Sequence, residues 1–269
     1  MSTIVTVLTA TDLHQRKSLY DELERVVNHH RPDIVALVGD FLDASDHRAG
    51  RFTATECAEH LSRLASPHVV FVRGNHEEEA WQAFAAAWSG TGRRLNALHG
   101  EVFVHGPMVL VGFPCLLGNE TSYLGPRPSL PADATEWLPS VLRSNGSAMR
   151  TLSLMHEPPA GTPLSEPDGP LAGNPEWVEA IERFAPLLAI SGHDHETPIQ
   201  RKRWHYEIGQ TRCVNVGQSD TGPLHYCLFQ AEFPKPTPCL PTAFKVTAFP
   251  LKRTIRYPER SRSCPAPNT

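Results

Sequence analysis

The sequence predicts an α/β fold in which two β-sheets form a sandwich with helices on its outer faces. This prediction rests on three features of the chain. Short β-branched runs alternate with helical patterns in the first half, strand-like runs follow one another without helices near the end, and polar residues stand directly after the buried strands. Alternating strands and helices imply right-handed crossovers and a largely parallel sheet. Composition alone leaves a doubly wound single sheet open as the alternative.

The first half of the chain is predicted to contain buried strands at 4–8, 34–38 and 69–72 and helices at 18–29, 53–64 and 78–88. Each strand is a short apolar run, and each helix shows apolar residues at helical spacing. The first helix has one apolar face, formed by Leu19, Leu23, Val26 and Val27. Ser18 is predicted to be its N-cap, since a serine hydroxyl can accept a hydrogen bond from the first turn.

The second half is predicted to contain a hairpin at 102–104 and 108–111, a helix at 175–184, and strands at 152–155, 187–190, 213–216, 226–230 and 244–249. Residues 114–139 are rich in Pro, Gly, Ser and Asn, and loops of this length are usually functional or mobile. We therefore interpret this segment as a candidate lid or substrate-selecting loop. Residues 1–256 are expected to form a single domain, and residues 257–269 a disordered tail.

The composition argues against a membrane protein and against broad electrostatic capture of nucleic acid. The net charge is −4, from 25 basic and 29 acidic residues, whereas nucleic-acid-binding proteins usually have a basic surplus. The local patch Arg201-Lys202-Arg203 is predicted to be a solvated turn between two strands. No apolar run approaches the ~18 residues of a membrane span, and the N-terminus has no signal-peptide pattern. The six cysteines form no CxxC pair, so free thiols and a cytoplasmic location are expected.

Polar residues follow the buried strands at five places along the chain. They are Asp12 and His14 after the first strand, Asp40 and Asp43 after the second, Asn75 and His76 after the third, His156 after 152–155, and His193 and His195 after 187–190. Because α/β sheets build their sites at the carboxyl ends of strands, these five ends can converge in one cleft. Gly39, Gly74 and Gly192 would let the backbone turn tightly there.

The residue types at these strand ends suit divalent metal ions. Carboxylate, amide oxygen and imidazole bind ions such as Mn, Fe, Zn or Ni, and the absence of cysteine argues against a structural zinc site. The seven candidate ligands are Asp12, His14, Asp40, Asn75, His156, His193 and His195. They are too many for one catalytic ion, and they suit two ions that share a carboxylate. Two ions roughly 3.5–4 Å apart can hold a hydroxide and clamp an in-line displacement at phosphorus.

In this order the motifs resemble those of the calcineurin-like metallophosphoesterase superfamily. The motifs are Asp12-x-His14, Gly39-Asp40-x-x-Asp43, Gly74-Asn75-His76-Glu77, His156 and Gly192-His193-x-His195, and the match ends with Asn215-Val-Gly217. Each motif alone is a weak signal, but five in order with sensible gaps are specific. The resemblance implies a phosphoesterase that uses two metal ions, with two sheets flanked by helices (α/β/β/α).

The resemblance also implies a role for each residue. Asp12, His14 and His195 would hold the first metal ion, Asn75, His156 and His193 would complete the second, and Asp40 would bridge them. His76 would be the general acid that protonates the leaving oxygen, and a histidine can do so near neutral pH. Asp43 would orient the His76 ring, its alternative role being that of a loop-capping residue.

The chain departs from the protein phosphatases of this superfamily at two motifs. Those enzymes have Gly before the first Asp and after the first His, where this chain has Thr11 and Gln15, and they have Arg at the position of Ala44. Arg73 precedes the third motif, as in those phosphatases, and is a candidate substrate-binding residue or half of a structural salt bridge. The chain is therefore more similar to the broad bacterial phosphodiesterase and phosphatase branch.

The favoured function is hydrolysis of a small-molecule phosphodiester or phosphomonoester by a metal-bridging hydroxide. A nuclease on the same fold would need a basic groove, which the net charge of −4 does not suggest. A non-catalytic scaffold would have lost ligands, whereas every expected ligand and His76 are present. The oligomeric state, the native metals and the substrate stay open.

Overall fold

The structure is a computed structural model that describes residues 2–43, 49–98, 101–113, 150–169, 171–234 and 241–257. Its strands are β1 (Ser2–Ala10), β2 (Ile34–Val38), β3 (His68–Val72), β4 (Asn96–Ala97), β5 (Val102–His105), β6 (Met108–Phe113), β7 (Thr151–Met155), β8 (Leu188–Ile190), β9 (His205–Ile208), β10 (Thr211–Val214), β11 (Tyr226–Pro234), β12 (Ala243–Phe249) and β13 (Arg253–Tyr257). Its helices are α1 (Lys17–His30), α2 (Ala54–Ser62), α3 (Glu78–Ser89), α4 (Pro175–Phe184) and α5 (Thr197–Gln200).

The strands form two sheets, which confirms the predicted two-sheet architecture. The first sheet has the order β13-β12-β11-β1-β2-β3-β4, and the second has the order β5-β6-β7-β8-β10-β9. Strands β1 to β4 are parallel to one another in the first sheet, and β6, β7, β8 and β10 are parallel to one another in the second. The carboxyl ends of the central strands of each sheet therefore lie together at one edge, where the predicted site residues follow them.

Three apolar clusters separate the layers of the fold. Alternate residues of both sheets, such as Val7 and Leu154, pack between the sheets. Their chain neighbours point outward, so Leu8 packs with the apolar faces of α1, α2 and α3. On the opposite side, Trp177 of α4 packs on the outer face of the second sheet. Since full burial of one large apolar side chain stabilises the fold by about 1.5–3 kcal/mol, these faces fix the order helix, sheet, sheet, helix.

The structure corrects two local predictions. Helix α1 begins at Lys17, and its N-cap residue is Arg16 with no side-chain cap, so Ser18 lies inside the helix and is not its cap. The basic turn at Arg201-Lys202-Arg203 is exposed as expected, but it lies between a helix, α5, and a strand, β9. Helix α2 starts at a capping box in which Thr53 and Glu56 bond each other's backbone N–H groups.

Some predictions fall on residues outside the described ranges. The candidate lid at 114–139 lies there, as does the predicted tail apart from Tyr257, which ends β13. The single-domain assignment of residues 1–256 and the cytoplasmic location stay predictions. Within the described ranges, no helix combines the length and the apolar character needed to cross a membrane.

Candidate metal centre

The structure brings all seven predicted metal ligands together at the carboxyl ends of the strands. Asp12 and His14 follow β1, Asp40 follows β2, Asn75 follows β3, His156 follows β7, and His193 and His195 follow β8. Six of these ligands, all but Asn75, form together with His76 overlapping groups whose ligand atoms lie within 4.8 Å of one another. These groups are Asp12, His14 and His195; His14, Asp40 and His76; and Asp40, His156 and His193.

In the first group, two imidazole nitrogens and a carboxylate oxygen lie close together. Nε2 of His14 lies 3.2 Å from Nε2 of His195, and that same His195 nitrogen lies 3.4 Å from Oδ1 of Asp12. Asp12 is fully buried, and its Oδ2 has no hydrogen-bond partner among the described residues. Because a buried carboxylate oxygen without a partner is costly, this donor set fits a divalent ion.

In the third group, the backbone orients the ring of His156. Nδ1 of His156 lies 3.0 Å from the carbonyl oxygen of Val38, and since a carbonyl only accepts, Nδ1 is the donor. Nε2 of His156 therefore faces the site, 3.2 Å from Oδ2 of Asp40 and 3.2 Å from Oδ1 of Asn75, and the neutral ring offers a lone pair there. Nδ1 of His193 lies 3.0 Å from the same Asn75 oxygen. Fixing a histidine through its second nitrogen is typical of metal ligands.

His76 stands at the mouth of this cluster. Its side chain is 40% exposed, and its Nε2 lies 3.9 Å from Oδ2 of Asp40. On the other side of the ring, Nδ1 lies 3.4 Å from Oδ1 of Asp43. The second oxygen of Asp43 forms an ion pair with Arg51. The carboxylate therefore lies where it can hold the His76 ring, and Arg51 holds the carboxylate.

Burial and mutual charge perturb the pKa values of the cluster. Burial alone would raise the pKa of Asp40, but the His156, His76 and His14 rings hold it well below its usual range. Burial disfavours the charged form of His156, yet the carboxylates of Asp40 and Asp12 raise its pKa to about 10. Burial lowers the pKa of His14 to about 4. The carboxylates thus keep their charge in a dry site, which requires a cationic partner.

Four predicted ligands have left-handed backbone conformations. The φ angles are 56° at Asp12, 44° at His14, 50° at Asp40 and 66° at His193. Such conformations are uncommon for residues other than glycine, and they concentrate at functional sites. The close packing of the site also explains why position 74 is a glycine, because a Cβ there would overlap the side chains of Asp40 and His156. Nothing in the sequence pattern reveals the left-handed ligands.

Two buried acids outside the predicted set support the ligand loops. Glu77 is fully buried, and its two carboxylate oxygens accept hydrogen bonds from Leu42 N at 3.0 Å and Gly74 N at 2.5 Å. Burial together with Asp40 raises the pKa of Glu77 to about 8. Asp194, between the two ligand histidines, accepts from Glu166 N at 2.9 Å and Thr197 N at 2.8 Å.

Asn215 ties the last motif to the site. Its Nδ2 donates to the carbonyl oxygens of Gly192 at 3.0 Å and Asp194 at 3.2 Å, while its Oδ1 accepts from Gly217 N at 2.9 Å. The Asn215-Val-Gly217 segment therefore braces the backbone of the loop that carries His193 and His195. The sequence motifs alone predict no role for this segment.

Arg16 and Asp220 lie beside the first group and were missed from the sequence. Oδ1 of Asp220 lies 3.5 Å from Nδ1 of His195. Nη1 of Arg16 donates to the carbonyl oxygens of Ser219 at 2.9 Å and Asp220 at 2.5 Å. Because Arg16 and Asp220 are separated by about 200 residues of chain, only the fold brings them together.

A cleft of about 340 Å³ opens over the cluster. Its lining contains Asp40, Asn75, His76, His193 and His195 together with Glu166, Leu171, Asp194, Glu196, Thr197, Gln200 and Asp220. No lysine or arginine belongs to this described lining. Arg73, the predicted substrate-binding residue, is absent from it, and its guanidinium carbon lies 5.5 Å from the ring centroid of Trp81. The substrate contact of Arg73 stays a prediction.

The chain has detectable similarity to known proteins. A model of the calcineurin-like phosphoesterase family matches residues 5–197. Among solved structures, a dimetal phosphatase from Danio rerio is 13% identical with a TM-score of 0.61, covering 94% of this chain and 98% of that chain. A protein from Thermus thermophilus is 16% identical with a TM-score of 0.60, covering 84% of this chain and 94% of that chain. These two structures share the fold. No curated protein sequence matches the chain.

Proposed function

The chain belongs to the calcineurin-like phosphoesterase family and is a metal-dependent phosphoesterase; within that class, we propose that it hydrolyses small-molecule phosphate esters with two divalent metal ions. Asp12, His14 and His195 hold the first ion, and Asn75, His156 and His193 hold the second. Asp40 contributes to both. Mn, Fe, Zn and Ni all suit this mixture of oxygen and nitrogen ligands.

The observation that carries this proposal is the position of Asp40 between two sets of ligand atoms. Asp40 lies within 4.8 Å of His14 and His76 in one group, and within 4.8 Å of His156 and His193 in another. A single ion leaves ligands of one set unused, whereas two ions that share one carboxylate use both sets. The similarity in fold to the dimetal phosphatase from Danio rerio agrees with this assignment.

The chain's own residues complete the chemistry. Two ions in such a site supply a nucleophile from water at neutral pH and neutralise the oxygens of the reacting phosphate. His76, exposed at the mouth of the cleft, donates a proton to the leaving oxygen. Asp43 orients the ring for this role, because its carboxylate oxygen lies 3.4 Å from Nδ1 and can accept the proton of that nitrogen, which leaves Nε2 facing the site.

The cleft favours a small substrate over nucleic acid. Glu166, Glu196 and Asp220 stand in its described lining without a lysine or arginine. A groove that follows a nucleic-acid backbone is normally positively charged, because phosphate contacts supply most of the affinity. An acidic rim therefore opposes a long polyanion, whereas one phosphate that contacts the metal ions directly escapes this repulsion.

Hydrolysis of a chromogenic phosphate monoester and of the matching diester tests the proposal. The protein is stripped with a chelator, then assayed before and after addition of manganese, with bound metal counted by elemental analysis. Manganese-dependent turnover with two ions per chain is the expected result, and the preferred ester separates phosphomonoesterase from phosphodiesterase. Full activity with one ion per chain would overturn the two-ion assignment, and full activity without metal would overturn the mechanism.

A further inference from the structure

A second cleft, of about 430 Å³, lies at the side of the sandwich where the two sheets end. Its lining is Lys202, Arg203, Trp204, His205, Arg253, Thr254 and Ile255, and we call it the basic groove. His205 begins β9, the last strand of the second sheet, and Arg253 begins β13, the last strand of the first. The groove therefore runs between the two exposed sheet edges.

The charge of the basic groove is unbalanced. Lys202, Arg203 and Arg253 form no ion pair with any described residue, and no acidic residue belongs to the described lining. The nearby carboxylate of Glu207 is already engaged by Arg212, at 3.1 Å from both Nε and Nη2. An excess of unpaired cations in a concave surface concentrates positive potential and attracts anions. This local excess stands out in a chain whose net charge is −4.

One residue of the groove lining has a buried polar atom without a partner among the described residues. Nδ1 of His205 is buried and makes no hydrogen bond within the described part of the chain. Burial lowers the pKa of His205, and Arg212 and Arg203 lower it further, so the neutral ring can donate from one nitrogen. The cations of the lining are the groups that suit the oxygens of a phosphate, because hydrogen bonds from charged donors are the stronger ones.

The groove is built on supported backbone. Arg212 of β10 donates to the carbonyl oxygen of Arg256 at 3.5 Å, and its guanidinium lies 5.8 Å from the ring centroids of Phe244 and Tyr257. These contacts link the second sheet to β12 and β13 of the first. The turn before β9 is closed by the hydrogen bond from Arg203 N to Pro198 O at 3.0 Å. The cations are thus presented by linked elements and not by an isolated loop.

The basic groove begins close to the catalytic cleft. Gln200 lines the catalytic cleft, and Lys202, two residues further along the chain, lines the groove, so the Cα atoms of these two residues lie at most about 7 Å apart. The two linings differ in charge: among the described residues, the catalytic cleft has carboxylates without lysine or arginine, and the groove has cations without carboxylates. A ligand that occupied both would have its reacting phosphate at the metal centre and a second anionic group among the arginines.

We propose that the basic groove is an outlying phosphate subsite, and that the substrate is a phosphate ester that carries a second phosphate group. The inference rests on the proposed function for the position of the reacting phosphate. Arg203 and Arg253 hold the second phosphate from the two walls of the groove, with Lys202 adding charge. Because the site is cationic and partly open, its affinity falls as salt rises.

Two adenine nucleotides serve as probes of this subsite. The manganese-loaded, full-length protein is titrated calorimetrically with adenosine 5′-monophosphate and with adenosine 3′,5′-bisphosphate. The unsubstituted protein should bind the bisphosphate at least about tenfold more tightly, as two or more charge-assisted hydrogen bonds would give. The double variant Arg203→Ala/Arg253→Ala should lose this advantage. Equal affinity of the unsubstituted protein for the two nucleotides would overturn the proposal.

A matched control separates a site from general charge. Arg25 in α1 and Arg63 after α2 are exposed arginines on the helical side, so Arg25→Ala/Arg63→Ala removes the same charge elsewhere. This control should keep the bisphosphate advantage, and an equal loss in both double variants would overturn the subsite. In the last experiment, the same proteins are titrated with inorganic phosphate. If free phosphate binds in a way that depends on the groove arginines, while the bisphosphate binds no more tightly than the monophosphate, the groove is a site for free anions. That result would overturn the substrate assignment.

Failure of the subsite can be told apart from failure of the proposed function. The same proteins are assayed with the chromogenic ester, which has a single phosphate. Turnover that is equal in the groove variant and the unsubstituted protein, with the bisphosphate advantage lost, supports the subsite alone. If manganese-dependent turnover is missing from the unsubstituted protein, the proposed hydrolase function fails, and the calorimetric ratio still decides for or against the groove.

Discussion

The carboxylate of Asp220 lies 3.5 Å from Nδ1 of His195, on the side of the ring opposite the cluster of ligand atoms. The side chain of Asp220 is 82% exposed, so ordinary surface statistics would assign it no role. Its backbone is nevertheless fixed, because Arg16 donates to its carbonyl oxygen and to that of Ser219. A carboxylate held in this way orients the imidazole and increases its basicity toward a metal ion.

Asp220→Ala should lower the affinity for the first metal ion by roughly ten- to hundredfold, which is the usual effect of losing such a supporting carboxylate. The second ion, which His195 does not touch in the proposed assignment, should be little affected. Calorimetric titration of the chelated protein with manganese measures both steps. Asp168→Ala, which removes another exposed carboxylate, is the control. Unchanged affinity at both steps in Asp220→Ala would show that Asp220 does not position His195.

Asp40→Asn should abolish phosphoesterase activity, because the shared carboxylate supports both ions. The asparagine is similar in size but neutral, so the fold should persist while metal content falls. Elemental analysis of bound manganese and hydrolysis of the preferred chromogenic ester check the two halves of this expectation. Turnover equal to that of the unsubstituted protein would contradict the two-ion mechanism.

His76→Ala should keep both metal ions and lose rate, by roughly 10²–10⁴-fold if it acts as a general acid. The loss should be largest for esters with poor leaving groups, because a good leaving group departs without a proton. Asp43→Asn should produce a smaller loss with the same dependence on leaving group. Comparing kcat across esters whose leaving groups differ in pKa measures this. Loss of both ions in His76→Ala would instead make His76 a ligand.

The thiols of Cys213 and Cys227 should resist alkylation in the native protein. Burial raises the pKa of Cys213 to about 12 and that of Cys227 further, so at pH 8 almost no reactive thiolate is present. A raised pKa means that the thiolate fraction grows only as pH climbs towards that value. Mass spectrometry of peptides after iodoacetamide treatment should show both cysteines unmodified, and both modified after unfolding in guanidinium chloride. Rapid native labelling would contradict their burial.

Much of the metal centre was predictable because parallel strands place their carboxyl ends together. Asp12, Asp40 and Asn75 each follow a short buried strand, so their convergence follows from chain order and the alternation of strands and helices. Partners that approach across the fold were not predictable. Arg51 reaches Asp43 from further along the chain, and Arg16 reaches the backbone of Asp220 across about 200 residues of sequence.

Strands β9 and β13 are absent from the predicted elements for a different reason. Strand β9 carries Tyr206 and Glu207 exposed, and β13 carries Arg253, Thr254 and Arg256 exposed. Edge strands that contact solvent on both faces lack the alternation of apolar and polar residues by which a strand is identified from its sequence. The helix cap at Ser18 failed for a related reason, since Arg16 is held in an extended bridge to Arg51, and the helix starts directly after that bridge.

The ligands of each proposed ion come from both halves of the sandwich. Asp12, His14, Asp40 and Asn75 follow strands of the first sheet, whereas His156, His193 and His195 follow strands of the second. Each ion would therefore act as a cross-link across the seam between the sheets, in addition to the apolar contacts there. Chelation should loosen this seam and lower the melting temperature, because ions that bind only the folded state stabilise it in proportion to their affinity. The same two ions would then both supply the catalytic chemistry and hold the two sheets together.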